Sequence, residues 1–185
     1  MNDNLLNGVY VVKARYTDAK GNKSTYYLVK NSVTLFNAQY YNLTLDDFHL
    51  LPTKGNKWEH ATWLSAAVCS DLLKQPYEEE FPNGFKVYKR CLVRKLSVKE
   101  AKKKMHTKKA RKNRFLVQKV GDNWTFYSNN IEYHPEWQYA KPMNLEQAVK
   151  IAVAREKLDN TKCRILMTGW RKLSTCEVEQ LVNWQ

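Results

Sequence analysis

The chain has 185 residues, 43% hydrophobic, 12% aromatic and 26% charged, an ordinary globular composition for one domain or two small ones. Six Gly and five Pro exclude collagen and low-complexity disorder, and no apolar run approaches the ~18 residues of a membrane-spanning helix. The unusual quantity is charge: 31 Lys+Arg against 18 Asp+Glu, a net +13.

In chain order, residues 8–16 and 25–30 are rich in β-branched and aromatic side chains. They flank Asp18, Gly21 and Asn22, which supply turn chemistry, so the pattern predicts a β-hairpin. Thr44-Leu45-Asp46-Asp47 reads as the capped start of a short helix. Helical spacing of Trp63, Leu64, Ala66, Ala67, Val68, Leu72 and Leu73 predicts a helix over 57–74, closed by Pro76. An acidic loop then leads into a strand from Phe85 to Leu96. Ser97 and Glu100 form a capping-box pattern that opens a helix running to about Lys112. A second hairpin follows, RFLVQKV and WTFYS around Gly121-Asp122-Asn123, and then an irregular aromatic loop from Asn129 to Pro142. Asn144 caps a helix over 145–158, a strand spans 162–170, and Ser174 and Glu177 open a last helix.

The order is ββ(α)αβα followed by ββαβα. Both halves carry a similar string at the same junction, Arg94-Lys95-Leu96-Ser97-Val98-Lys99-Glu100 and Arg171-Lys172-Leu173-Ser174-Thr175-Cys176-Glu177. The expectation is an α+β fold, a mostly antiparallel sheet with packed helices and an internal duplication of a ββαβα unit. The units are 1–111 and 112–185, and they can pack as one compact domain. In the second unit Val178, Leu181, Val182 and Trp184 make a continuous apolar face on the last helix. The matching positions of the first are Ala101, Lys104, Met105 and Thr107. The segment Thr107 to Arg114 is therefore expected to project until an anionic partner orders it.

All of the excess charge lies in one window. Between Lys86 and Lys119 stand 15 Lys/Arg and a single acid, Glu100, which leaves the rest of the chain at net −1. A block of one sign repels itself and implies an anionic partner. Alternation along 86–96 sorts Val87, Cys91 and Val93 to one face and Lys86, Tyr88, Arg90 and Arg94 to the other. In the last strand Cys163, Ile165 and Met167 turn inward, leaving Arg164, Trp170 and Lys172 across from them. Cations beside Tyr and Trp suit single-stranded nucleic acid, in which phosphates are tracked and bases stacked. The candidate binding residues are those strand positions with Lys95, Lys99, Lys102, Lys103, Lys104, Lys108, Lys109, Arg111, Lys112, Arg114, Arg171 and Lys172. Most are Lys, suited to phosphates more than to base edges, so weak sequence dependence is expected. Tyr10, Tyr16, Tyr26 and Tyr27 are further stacking candidates, although at least half must pack inward.

Signals for catalysis and metal binding are thin. Cys69, Cys91, Cys163 and Cys176 have neither C-x-x-C spacing nor a nearby His, and they read as reduced thiols. The N-terminus lacks the basic and apolar regions of a secretory signal, so a cytoplasmic location is expected. There is no phosphate-binding glycine loop, H-E-x-x-H or G-x-S-x-G. His49, His60, His106 and His134 are isolated, and none carries a catalytic assignment. The sequence thus points to a non-catalytic, cofactor-free nucleic-acid-binding protein. RNA is favoured over DNA, no membrane is involved, and self-association with RNA is expected. The rival readings are a basic inhibitor docking on an acidic protein and a metal-independent ribonuclease. The Lys/Asn/Tyr-rich character fits a viral or phage protein.

Overall fold

A computed structural model describes residues 5–31, 43–121, 126–127, 137 and 140–183, together with the backbone of 133–134. The fold is α+β with a curled, antiparallel sheet and four α-helices. The strands are β1 (Val9–Thr17), β2 (Lys23–Lys30), β3 (Phe48–Pro52), β4 (Leu64–Ser65), β5 (Phe85–Ser97), β6 (Phe115–Lys119), β7 (Phe126–Tyr127), β8 (Tyr133–His134) and β9 (Cys163–Lys172). The helices are α1 (Ala66–Leu73), α2 (Val98–Lys104), α3 (Leu145–Asp159) and α4 (Thr175–Val182).

Two compact units emerge, and they do not divide at Lys112. One comprises residues 1–90 and 170–185, the other residues 91–169. The chain passes from one to the other in mid-strand, within β5 and within β9, and Lys112 lies inside the second. The first unit has the strand order β3-β2-β1-β5, with the end of β9 beside β5 and β4 paired to β1. Its hairpin is set by Asp18, whose Oδ1 accepts from the amides of Lys20 and Asn22, and by Gly21 at φ 83°. One sheet face, carrying Tyr10, Val12, Ala14, Leu28 and Val87, packs against α1 and α4 through Leu72, Val68 and Leu181. Burial of such side chains is the main stabilising term, about 1.5–3 kcal/mol each.

The second unit has the order β5-β9-β6-β7-β8. Phe115, Val117 and Ile165 pack against α3 through Ala148, Val149 and Ala152, and against α2 through Ala101. Leu116, Phe126 and Leu166 form a smaller cluster on the opposite face.

Several expected elements differ. The helix over 57–74 is a 3-10 turn (Trp58–His60), the short β4, and only then α1. Ser65 starts α1 by accepting from the amide of Val68, so Trp63 belongs to no helix. The helix expected to reach Lys112 stops at Lys104. Thr107 turns the chain: its hydroxyl donates to the Lys104 carbonyl and accepts from the Ala110 amide, opening a 3-10 turn over Lys108–Arg111. That segment does not project, because Ala110 is buried in the core of its unit. Alternation also fails midway along β5. Lys89 and Arg90 are both buried, whereas Val93 is 52% exposed. The 121–123 turn, the Asn129–Pro142 loop and Trp184 fall largely or wholly outside the described residues.

Candidate nucleic-acid interface

The candidate residues gather on two surfaces, one in each unit. In the second unit, α2 and the following 3-10 turn form a basic ledge. Ser97 caps α2 by accepting from the Glu100 amide at 3.1 Å, while Ala101 and Ala110 bury the inner side and Val98 and Met105 pack beside them. Anchoring this side forces the polar residues outward. Lys95, Lys99, Lys102, Lys103, Lys108, Lys109, Arg111 and Lys112 are exposed, and Lys104 is half-buried. Glu100 is the one acid among them. Instead of closing the capping box it faces Arg94 at 3.7 Å, with both side chains about half exposed. Exposed pairs of this kind are worth little, so the ledge keeps nearly all of its positive field.

The second surface is the sheet face of the first unit turned away from α1 and α4. Register places Leu51, Tyr27, Lys13 and Lys86 in one row, and Val11 opposite Tyr88 in a neighbouring row. The 3-10 turn at 58–60 brings Trp58 over this face. The Lys13 Nζ lies 3.9 Å from the ring centre of Trp58, 4.6 Å from Tyr88 and 5.2 Å from Tyr27. Trp170 stacks on Trp58 at 5.3 Å and 14°, and Trp63 meets Trp170 edge-on at 5.5 Å. All of these rings except the buried Tyr27 are half-buried.

Positive charge concentrates beside the rings. Burial depresses the pKa of the Lys86 ammonium, and the neighbouring Arg15, Lys172 and Lys23 depress it further. Lys13 is depressed by burial first and by Lys86 second. Like charges directly opposite one another across a strand pair are destabilising, and Lys13 and Lys86 are such a pair. Sequence reasoning found Lys86, Tyr88, Trp170 and Lys172 but missed Lys13, Arg15, Lys23, Trp58 and Trp63. Trp58 and Trp63 sat in a segment with helical spacing, and the first three cations lie where local net charge is unremarkable.

Other candidates are engaged in holding the fold. Arg90 is buried with its guanidinium 4.7 Å from the ring centre of Trp63. Arg114 donates from Nε to the Thr168 carbonyl, and its own carbonyl accepts from the Thr168 amide and hydroxyl. Arg164 donates to Gln118, which is buried. Arg171 donates to Glu177 at 2.9 Å, and this bond is the main cause holding the Glu177 carboxyl below its ordinary pKa. Among the tyrosines, Tyr10 is core, while Tyr16 meets Tyr26 and Phe81 edge-on.

Nothing resembling a catalytic cluster forms around the described histidines. His49 Nδ1 bonds Asn31, His60 Nδ1 accepts from the Lys57 amide, and His106 is exposed. The side chain of His134 lies outside the described residues. No disulfide joins the cysteines. Burial pushes the Cys69 thiol up, and it pushes Cys163 to about 11, with Glu156 and Asp159 contributing. Among the described residues no group of three or more His, Cys, Asp or Glu is placed to hold a metal ion, and no helix is long and apolar enough to cross a membrane. Comparison with family models, curated proteins and solved structures gave no match.

Proposed function

We propose that the chain is a non-catalytic, cytoplasmic nucleic-acid-binding protein that engages single-stranded or structured RNA with weak sequence dependence. The observation that carries this reading is the basic ledge: eight exposed Lys/Arg side chains on a segment pinned by Ala101 and Ala110, with one acid among them. A pinned cationic segment meets a polyanion without the ordering cost of a floppy tail. Lysines supply charge without the planar fork that reads base edges, which supports phosphate tracking over sequence readout. The cation-and-aromatic sheet face of the first unit supports a single strand as the ligand, since stacking requires unpaired bases. Two cationic surfaces on one chain also supply the multivalency from which condensation with RNA at low salt follows.

The test is a salt titration of RNA and duplex-DNA binding by the wild type and a Lys102→Ala, Lys103→Ala, Lys104→Ala variant. For single strands log K falls with log salt by about 0.7 per phosphate neutralised, so the triple variant is expected to lose up to about 2 from its slope. An unchanged slope would move the site away from the ledge. Tight, selective binding to one acidic protein, with RNA ignored at about 100 mM salt, would overturn the reading in favour of an inhibitor.

A further inference from the structure

We propose that Lys13 is an internal placeholder in a nucleotide-binding box, and that a single-stranded nucleotide takes its position on Trp58. The inference rests on the nucleic-acid reading above and names the chemistry of its sheet-face site. In the structure the Lys13 ammonium lies over the Trp58 ring, 3.9 Å from its centre, and Trp170 stacks on the same indole at 5.3 Å. The position over the ring centre that a stacked base would take is held by the ammonium. The indole pair contributes mutual burial, whereas the ammonium stands on a flexible stem in cation–π contact with the rings. Among the described residues it has no carboxylate partner in an ion pair. Its neighbours of like charge make its present position costly: Lys86 is directly across the strand, and Arg15 lies two residues along on the same face.

A nucleotide matches both halves of this arrangement. Its base is a flat π-system of the size that the vacated face of Trp58 would accept, with Tyr88 and Tyr27 as side walls. Its phosphate is the counter-charge for Lys13, Lys86, Arg15, Lys23 and Lys172, none of which has an ion-pair partner among the described residues. On binding, the ammonium turns from ring to phosphate, and the base takes the ring. Each exchanged contact is replaced, and the repulsion among five cations is relieved. A polyanion without bases would satisfy the cations but put no base on Trp58, which separates this site from a general phosphate-binding patch.

The experiment uses the full chain and two probes, an oligouridylate of about ten nucleotides and inorganic polyphosphate of matched charge. Binding is followed by affinity and by intrinsic tryptophan fluorescence. For the wild type, oligouridylate is expected to quench the fluorescence at saturation and polyphosphate to leave it nearly unchanged. Lys13→Met should retain the quench, because the ring is then uncovered, and should lose about 0.7 from the salt slope for oligouridylate. Trp58→Leu should weaken oligouridylate about tenfold to a hundredfold, the loss of one stacked base, without changing polyphosphate affinity. Lys13 is half-exposed, so its variant tests the idea even if Trp58→Leu fails to fold.

Oligouridylate binding without quench, with the Lys13→Met slope unchanged, overturns the placeholder and leaves the nucleic-acid reading standing. Equal weakening of both probes by Trp58→Leu also overturns it, by making Trp58 structural. Absence of oligouridylate binding by the wild type at about 50 mM salt overturns the underlying reading, and the placeholder with it.

Discussion

Lys86 sits where five positive charges meet on one sheet face, directly across from Lys13 and depressed in pKa by burial and by Arg15, Lys172 and Lys23. A residue in that position is kept at a cost to the fold. Replacing it with a strand-compatible neutral side chain, Lys86→Thr, is expected to raise stability by about 0.5 kcal/mol, the size of a relieved cross-strand repulsion. The same change is expected to weaken RNA binding. Thermal melts and a binding titration on one preparation check both signs, and a less stable variant would mean that the lysine stem packs more than its charge repels. Individual residues were the least legible scale in the sequence. Lys86, Tyr88, Trp170 and Lys172 were readable because alternation counted along the sequence puts them opposite the apolar positions of their strands. Lys13 becomes notable only once strand pairing places it beside Lys86, far along the chain. Lys89 and Arg90 show the opposite error: alternation predicts only one of two neighbours to be inward, and both are buried.

At the scale of elements, caps were legible and helix lengths were not. Ser174 accepts from the Glu177 amide and the Glu177 carboxylate accepts from the Ser174 amide, completing the box that the sequence announces. Ser174→Ala is expected to cost about 1 kcal/mol. Glu177 adds a pH dependence. Arg171 and the cap hold its carboxyl below the ordinary value of 4.5. Its contribution is therefore present above that value and is lost as pH falls through the folded-state pKa. Glu177→Gln should be less stable than the wild type at neutral pH, with the gap closing in acid. Denaturant titrations across pH 3–7 check this; a gap independent of pH would assign the loss to packing. Lengths were misread where a polar side chain diverts the backbone. Thr107 ends one helix early, and Ser65 begins another late, since a hydroxyl near its own backbone competes with helical hydrogen bonds. Hydrophobic periodicity does not register that competition.

At the scale of the whole molecule, the α+β class and the antiparallel pairing were legible, because the hairpins and capped helices follow from local pattern. The division into units was not, because it depends on where the ends of β5 and β9 are buried. Element order nevertheless matches between the halves. In each, a first strand pairs its hairpin partner and the long strand, a helix follows, and a serine-capped short helix ends the run. The Arg94–Glu100 and Arg171–Glu177 contacts stand at corresponding places in the two halves. The division makes α4 indispensable to the first unit. Leu181 is fully buried there, and its carbonyl accepts from the Ser70 hydroxyl. Leu181→Ala is expected to cost 2–5 kcal/mol by cavity formation, measurable as a lowered denaturant midpoint. A loss below about 1 kcal/mol, the range of surface substitutions, would show that α4 is dispensable.

The mid-strand crossings also set a schedule for synthesis. Every residue of the 91–169 unit leaves the ribosome before Leu173 and Leu181, which close the core of the other. The unit whose strands come first is therefore the last to be completed. At about 5–20 residues per second, the nascent chain spends several seconds with β1 and β5 made and their core still open at one side. Late in that interval, once the residues that pack on Ala101 and Ala110 are made, the basic ledge is whole, so the emerging protein can engage an anionic polymer before its other half has finished folding.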